Sequence, residues 1–233
     1  MNDELCENKQ IKLVIFDMDG TITKSHNRLN LWQALNNFIT DPKLKEEANS
    51  FERNYKQDIS GCKDYGEFSR RMVEIYSHAG FTKKKLDEIG EKILQISEGA
   101  KEAIDELRDA GLKTAVISGG WKNVYRFISD KYGINVDIAL CAIDVNYDDK
   151  GNITGCETYN YNYEGKIEAI ELLSDSLKVK YAEMAVIGNG RNDIAMFKKV
   201  GVSIAFNSEY EEVDTAATYI VRGNMRKIVP LLT

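Results

Sequence analysis

Histidine is nearly missing from this chain of 233 residues. There are 2, alongside 4 cysteines, Cys6, Cys62, Cys141 and Cys156, which stand far apart and form no Cys-x-x-Cys pair. No zinc-ligand spacing can be assembled from them, and free thiols in a reducing compartment are expected. Proline is equally scarce, at 2 residues, which suits a folded, helix-rich chain. A basic surplus is lacking too. The 31 lysines and arginines are outnumbered by 37 acidic residues, for a formal net charge of -6. The broad positive field that holds nucleic acid is therefore absent, and the short runs Lys83-Lys84-Lys85 and Lys198-Lys199 read as solvated helix faces. No apolar run approaches the roughly 20 residues needed to span a bilayer. The opening MNDELCENKQ is polar and acidic, unlike a secretory leader. A cytoplasmic protein with neither nucleic-acid nor membrane partners is expected.

What is present is 43% hydrophobic residues, enough for one sizeable core, or for a core domain carrying a smaller satellite. Short apolar runs alternate with helical patterns. Ile11 to Phe16 (IKLVIF) is a continuous β-branched and aromatic run that suits a buried parallel strand. Leu112 to Ile117, Met184 to Ile187, Val202 to Phe206 and Tyr219 to Val221 read the same way. Helices are predicted over Ala100 to Ala110, stopped by Gly111, over Gly165 to Ser174 and over Asp193 to Val200. That alternation predicts an α/β protein with a doubly wound parallel sheet. Residues from about Lys24 to Ser97 contain no convincing strand and read as an inserted helical bundle. Asn146 to Tyr163 reads as a β-hairpin around Asp148-Asp149-Lys150-Gly151-Asn152. The alternating Tyr159, Tyr161 and Tyr163 form one face of it.

Three polar segments begin where predicted strands end, the edge at which open α/β sheets bind ligands. Asp17-Met18-Asp19-Gly20-Thr21 follows the first strand. Two carboxylates turned into one small volume repel unless a cation neutralises them. Magnesium is the natural candidate, because it takes hard oxygen ligands and is often shared with phosphate. One aspartate can then attack phosphorus, while the other serves as acid and base. Ser118-Gly119-Gly120 offers a hydroxyl and glycine amides for phosphate oxygens. Gly188-Asn189-Gly190-Arg191-Asn192-Asp193 offers further oxygen ligands on a loosened loop, with Asp193 opening a helix. Lys166, between the second and third segments, is the one cation placed to offset a phosphate among carboxylates.

These four pieces, in this order, resemble the haloacid dehalogenase superfamily over residues 10–22 and 98–233, and its phosphoserine phosphatase branch in particular. The resemblance implies a Rossmann-like core at residues 1–22 and 98–233 with a C1-type helical cap at 23–97. It implies Asp17 as nucleophile, Asp19 as general acid/base, and Ser118, Gly119 and Lys166 around the phosphoryl group. Mg2+ would be held by Asp17, Asp19 and an oxygen of the third loop, with Asn189 and Asp193 the candidates. The implied activity is hydrolysis of a small phosphomonoester through a phospho-aspartate. The alternatives are a phosphotransferase or mutase of the same superfamily, or a weakened phosphate-ligand binding protein.

Two departures stand out. Asn189 occupies the place of that branch's magnesium-binding aspartate, so weaker magnesium binding with compensation from Asp193 is expected. Lys24, Ser25, His26 and Asn27 provide no acid where the branch has a glutamate for the substrate ammonium. The position expected to hold a cap arginine is Met72. A small phosphomonoester other than phosphoserine is therefore expected, with His26, Arg70 and Arg71 as the cap candidates.

Overall fold

The computed structural model describes residues 10–24, 30–57, 64–162 and 165–233. The first strand, β1 (Leu13–Phe16), is buried along its whole length. Leu13 and Ile15 pack into one apolar cluster, with Ala169, Ile170 and Met196, while Val14 and Phe16 pack into the other, with Ala103, Ile104 and Val116. A strand covered on both faces has no solvent side, which is why it reads as an unbroken apolar run.

Among the described residues a two-residue strand β2 (Thr23–Lys24) is followed by four helices: α1 (Leu31–Asn36), α2 (Pro42–Lys56), α3 (Tyr65–His78) and α4 (Lys83–Ile93). Each has a side-chain cap on its first amides: Asn30, Asp41, Asp64 and Thr82 respectively. Pro42 sits in the first turn of α2, where no N–H is needed. β3 (Gln95–Ile96) then pairs antiparallel with β2, Thr23 opposite Ile96 and Lys24 opposite Gln95. Among its described residues the inserted segment is thus helical as expected, except that its two ends form a small ladder where no strand was predicted.

The chain returns through α5 (Ala100–Asp109), β4 (Lys113–Trp121), α6 (Lys122–Tyr132), β5 (Ile138–Tyr147), β6 (Ile153–Thr158), α7 (Gly165–Leu177), β7 (Met184–Gly188), α8 (Ile194–Phe197), β8 (Val202–Phe206), α9 (Glu211–Ala216) and β9 (Tyr219–Val221). The seven-stranded sheet has the order β6-β5-β4-β1-β7-β8-β9. Only β6 runs antiparallel to its neighbour. The doubly wound α/β prediction holds. The β5–β6 hairpin turns at Asp148, whose carboxylate accepts the amides of Lys150 and Asn152. β5 begins well before the predicted hairpin, and β6 ends before Tyr159, so Tyr159 and Tyr161 do not form a strand face. Tyr159 and Tyr161 instead stack on each other beyond it; Tyr163 lies outside the described residues.

The helical insertion packs onto the sheet through aromatic rings. Trp32 of α1 meets Phe68 and Tyr76 of α3, and Trp121 at the end of β4. α3 also leans on the hairpin, where Ser77 Oγ donates to the Ile153 carbonyl. Among the described residues no helix is long and apolar enough to cross a membrane.

Candidate active site

The carboxyl ends of β1, β4 and β7 converge because β1 pairs with both of the others in parallel. Asp17, the first residue past β1, is anchored by its amide donating to the Ile187 carbonyl at 2.9 Å. The chain then doubles back, with the Thr21 and Thr23 amides both donating to the Met18 carbonyl. Gly20 sits at φ +87 inside this turn, a conformation costly for residues with a Cβ. The turn leaves Asp17 buried and Asp19 reaching water through the cleft.

Lys166, in the first turn of α7, is fully buried beneath them. Its Nζ donates to Asp17 Oδ1 at 2.6 Å and to Asp193 Oδ1 at 2.7 Å. Burial on its own pulls the ammonium pKa down, but the two carboxylates more than reverse this and hold it protonated. Burial pushes the Asp17 carboxyl above the ordinary range; Lys166 opposes that shift, and Asp193 and Asp19 add to it. Asp19 is also raised, chiefly by the protein atoms packed around it, a shift tempered by the water its side chain still meets in the cleft.

Asp193, a candidate metal ligand from its place in the third loop, directs its Oδ1 to Lys166, and its Oδ2 accepts the amides of Asn189 at 3.0 Å and Gly190 at 2.9 Å. With both oxygens engaged, it positions the lysine and shapes the third loop. Asn189 lines the cleft, and its Oδ1 accepts from Thr21 Oγ1 at 3.1 Å.

Ser118 and Gly119 lie in β4 at a one-residue bulge. Ser118 is opposite Cys141 and Trp121 opposite Ile143, so Gly119 and Gly120 together face the single residue Ala142 and one of the two is extra backbone. The glycine amides therefore belong to a strand bulge and not to a helix start, since α6 begins only at Lys122. Ser118 Oγ accepts the Gly120 amide at 2.9 Å, leaving its own proton free to turn elsewhere. A Cβ on Gly120 would stand 2.5 Å from Asp19 Oδ2, so only glycine lets the Asp19 carboxylate rest against this loop.

Above these loops is a cavity of about 560 Å³, within the range of small-molecule sites. Its floor is Asp17, Asp19, Ser118, Gly119 and Asn189, and its roof is Trp32, Tyr55, Lys56, Tyr65 and Phe68 of the insertion. Tyr65 Oη donates to the Gly119 carbonyl at 2.9 Å and accepts from Trp32 Nε1 at 3.3 Å, joining roof to floor. Burial raises the Tyr65 hydroxyl pKa well above its ordinary value. A second, largely apolar cavity of about 430 Å³ lies between α4 and α6, against Leu86, Ile89 and Phe127, and contains none of the motif residues.

The cap candidates fare differently from the loop residues. Arg70 and Arg71 do not line the cleft. Arg70 Nη1 donates to Thr158 Oγ1 at 2.6 Å, and Arg71 bridges Glu74 and Glu47 at 2.6 and 2.7 Å on the outer face of α3. The inner face of that helix is already filled by Phe68, Met72 and Tyr76. His26 lies outside the described residues. Sequence reasoning missed Tyr65, Lys56 and Glu52, which carry no motif and reach the cleft only because α2 and α3 pack over it.

The donor set suits magnesium. Asp17 and Asp19 present hard carboxylate oxygens at the cleft floor, and Asn189 adds an amide oxygen. When all are ionised, three carboxylates, Asp17, Asp19 and Asp193, face the single ammonium of Lys166, leaving two negative charges for a divalent cation to neutralise.

Known proteins are similar to this chain over most of its length. The phosphoserine phosphatase of Methanocaldococcus jannaschii is 26% identical over 221 residues, spanning 95% of this chain and 97% of its own. That of Campylobacter jejuni is 28% identical over 196 residues, spanning 84% and 87%. Among solved structures, a phosphoserine phosphatase in apo form superposes with a TM-score of 0.70 at 22% identity, covering 96% of this chain and 100% of the other. A substrate-bound phosphoserine phosphatase complex does so with a TM-score of 0.69 at 22% identity, covering 96% and 99%. A model of the haloacid dehalogenase-like hydrolases matches residues 11–201, a stretch that runs from β1 past Asp193. The aspartate loop, the serine bulge, the buried lysine and the third loop all fall within that match, and the chain belongs to the haloacid dehalogenase-like hydrolases.

Proposed function

We propose that the protein is a phosphomonoesterase that transfers a phosphoryl group to Asp17 and then to water. The observation that carries this reading is the buried contact of Lys166 with Asp17 at 2.6 Å, while Asp19 stands two residues away at the cleft floor. One carboxylate is held immobile beside a fixed positive charge, and the other is left free to exchange protons.

In the first step an Asp17 carboxylate oxygen bonds to phosphorus as the ester P–O bond breaks, and Asp19 gives its proton to the departing alkoxide. The upward shift of Asp19 increases the share of the protonated form this step needs. In the second step the Asp19 carboxylate takes a proton from water as the water oxygen bonds to phosphorus. The Asp17–phosphorus bond breaks, releasing phosphate and restoring Asp17. The Ser118 hydroxyl and the Gly119 amide are assigned to the phosphoryl oxygens, and Lys166 offsets the charge gathered on Asp17. A magnesium ion held by the Asp17 carboxylate, the Asp19 main-chain carbonyl and the Asn189 side-chain oxygen would, when bound, polarise the phosphoryl oxygens and neutralise their charge.

We read residues 23–97 as a lid over this chemistry, closing it to bulk water. A small phosphorylated metabolite is the substrate class, and the cytoplasm is the compartment this reading assigns. The free thiols of Cys141 and Cys156 support a reducing one. The test is phosphate release from a panel of small phosphomonoesters, with and without magnesium, beside Asp17→Asn. Magnesium-dependent release that the substitution abolishes supports the reading. Release that survives Asp17→Asn, or none from any ester at high magnesium, rejects it.

A further inference from the structure

We infer that Lys56 is a specificity residue that holds a second anionic group, a carboxylate or a second phosphate, on the far end of the substrate. The inference rests on the reading that the phosphoryl group sits at Asp17.

Glu52 is a buried carboxylate in the cleft roof, only 4% exposed. Its Oε1 accepts from Asn30 Nδ2 at 3.0 Å and from Lys56 Nζ at 2.8 Å, and its Oε2 accepts from Asn36 Nδ2 at 3.3 Å. Asn36 is pinned in turn by the Tyr76 hydroxyl at 2.8 Å. Glu52 is therefore a fixed anchor whose oxygens are already supplied with donors. Lys56 is the opposite kind of group: its side chain is half exposed and it lines the same cleft. An ammonium carries three protons, and Glu52 takes one.

Two ligand charges can be weighed against this pair. A substrate ammonium at Glu52 must evict Lys56 or stand beside it, like charge against like. A substrate anion at Lys56 displaces nothing and adds a charge-assisted hydrogen bond to an ammonium already oriented by Glu52. The remaining cleft charges favour the anion as well. Apart from the catalytic aspartates, the lining acid among the described residues is Glu52, whereas the lining bases are Lys24, Lys56 and Arg191. Arg191 pairs with Glu212 and lies over the Tyr210 ring. The ring of Tyr55, backed by the buried Phe68 at 4.2 Å, is part of the same wall and suits the carbon body between two anionic ends.

The experiment is calorimetric binding of three matched phosphonates, with alkyl chains of three to five carbons ending in a methyl, a carboxylate or an amine. They cannot be hydrolysed, so the result does not depend on turnover. Release of phosphate from p-nitrophenyl phosphate is measured separately and tests the phosphatase reading on its own. At one or more chain lengths the carboxylate is expected to bind about tenfold more tightly than the methyl compound, the lower end for a hydrogen bond to a charged group. Lys56→Met should erase that advantage and Lys56→Arg should keep it. Thermal melts identify a variant that fails to fold, in which case Lys56→Gln replaces Lys56→Met. A carboxylate series no tighter than the methyl series at every length overturns the inference. So does tighter binding of the amine, which would make Glu52 the recognition group, or an advantage that survives loss of the Lys56 charge.

Discussion

The hydroxyl of Tyr65 donates to the carbonyl of Gly119 across 2.9 Å, so a side chain of the lid holds the backbone of the loop assigned to phosphate. The same oxygen accepts from Trp32 Nε1. Tyr65→Phe keeps the ring but breaks both bonds, which costs about 1 kcal/mol of stability. Because the lost bond spans lid and floor, kcat/KM should fall roughly fivefold, mostly through KM, as remote positioning is lost. Steady-state kinetics on a good phosphomonoester decides this. Unchanged kcat/KM in a folded variant would show that the contact is incidental.

Asp193 gives one oxygen to Lys166 and the other to two backbone amides. Asp193→Asn cannot satisfy all three donors, and breaking into a buried ionic network costs about 3 kcal/mol. That corresponds to a fall in Tm of roughly 10 °C for a chain of this size. A differential scanning calorimetry trace within two degrees of the wild type would contradict the role given to this residue.

Asn189 offers a neutral amide oxygen at the cleft floor, shared with Thr21. Asn189→Asp supplies a charged, harder ligand. The magnesium concentration for half-maximal activity should drop about tenfold. The metal-free protein should be less stable, because a further carboxylate joins those at Asp17 and Asp19. A magnesium titration that is indifferent to the change would mean that this oxygen is not a ligand.

Asp137 accepts the Thr114 amide at 2.8 Å and its hydroxyl at 3.1 Å, with Lys113 at 3.8 Å. Partial burial pulls its pKa up, but these partners prevail and hold it below the ordinary carboxylate value. A depressed folded pKa contributes stability above the unfolded value of about 4, and that contribution disappears as pH falls through the folded value. Wild type should therefore melt above Asp137→Asn at pH 7, and the gap should narrow below about pH 4. An equal gap at pH 7 and pH 3 would sink the assignment.

How much of this was legible beforehand depended on whether a feature was local. The aspartate loop, the serine bulge and the third loop each follow a continuous apolar run, and a parallel strand buried on both faces writes such a run directly into the chain. The hairpin turn was equally plain, because Asp148 and Gly151 do their work within five residues. Lys166 was reachable only through its order among the other motifs. The roof of the cleft was not legible. Tyr65, Lys56 and Glu52 sit on amphipathic helices like any others, and their facing is settled by how α2 and α3 pack. Arg70 and Arg71 show the converse: two arginines near the expected place point outward, because apolar side chains already fill the inner face of α3. Asp193 illustrates a third limit. Its presence was read, but whether a carboxylate binds a metal or a lysine is decided by a few ångströms of placement. The start of β5 went unread because its first residues are only half-buried and show no clean alternation.

The ladder between Thr23–Lys24 and Gln95–Ile96 has a consequence beyond this chain's chemistry. The polypeptide leaves the sheet and re-enters it through neighbouring positions, with partner Cα atoms about 5 Å apart in any antiparallel pair. Whatever is strung between them closes its loop locally, and the register of β1 against β4 and β7 does not depend on its length. The fold thus has a socket. A change of length or sequence between the two short strands would alter the roof of the cleft and leave the floor built by β1, β4 and β7 in place.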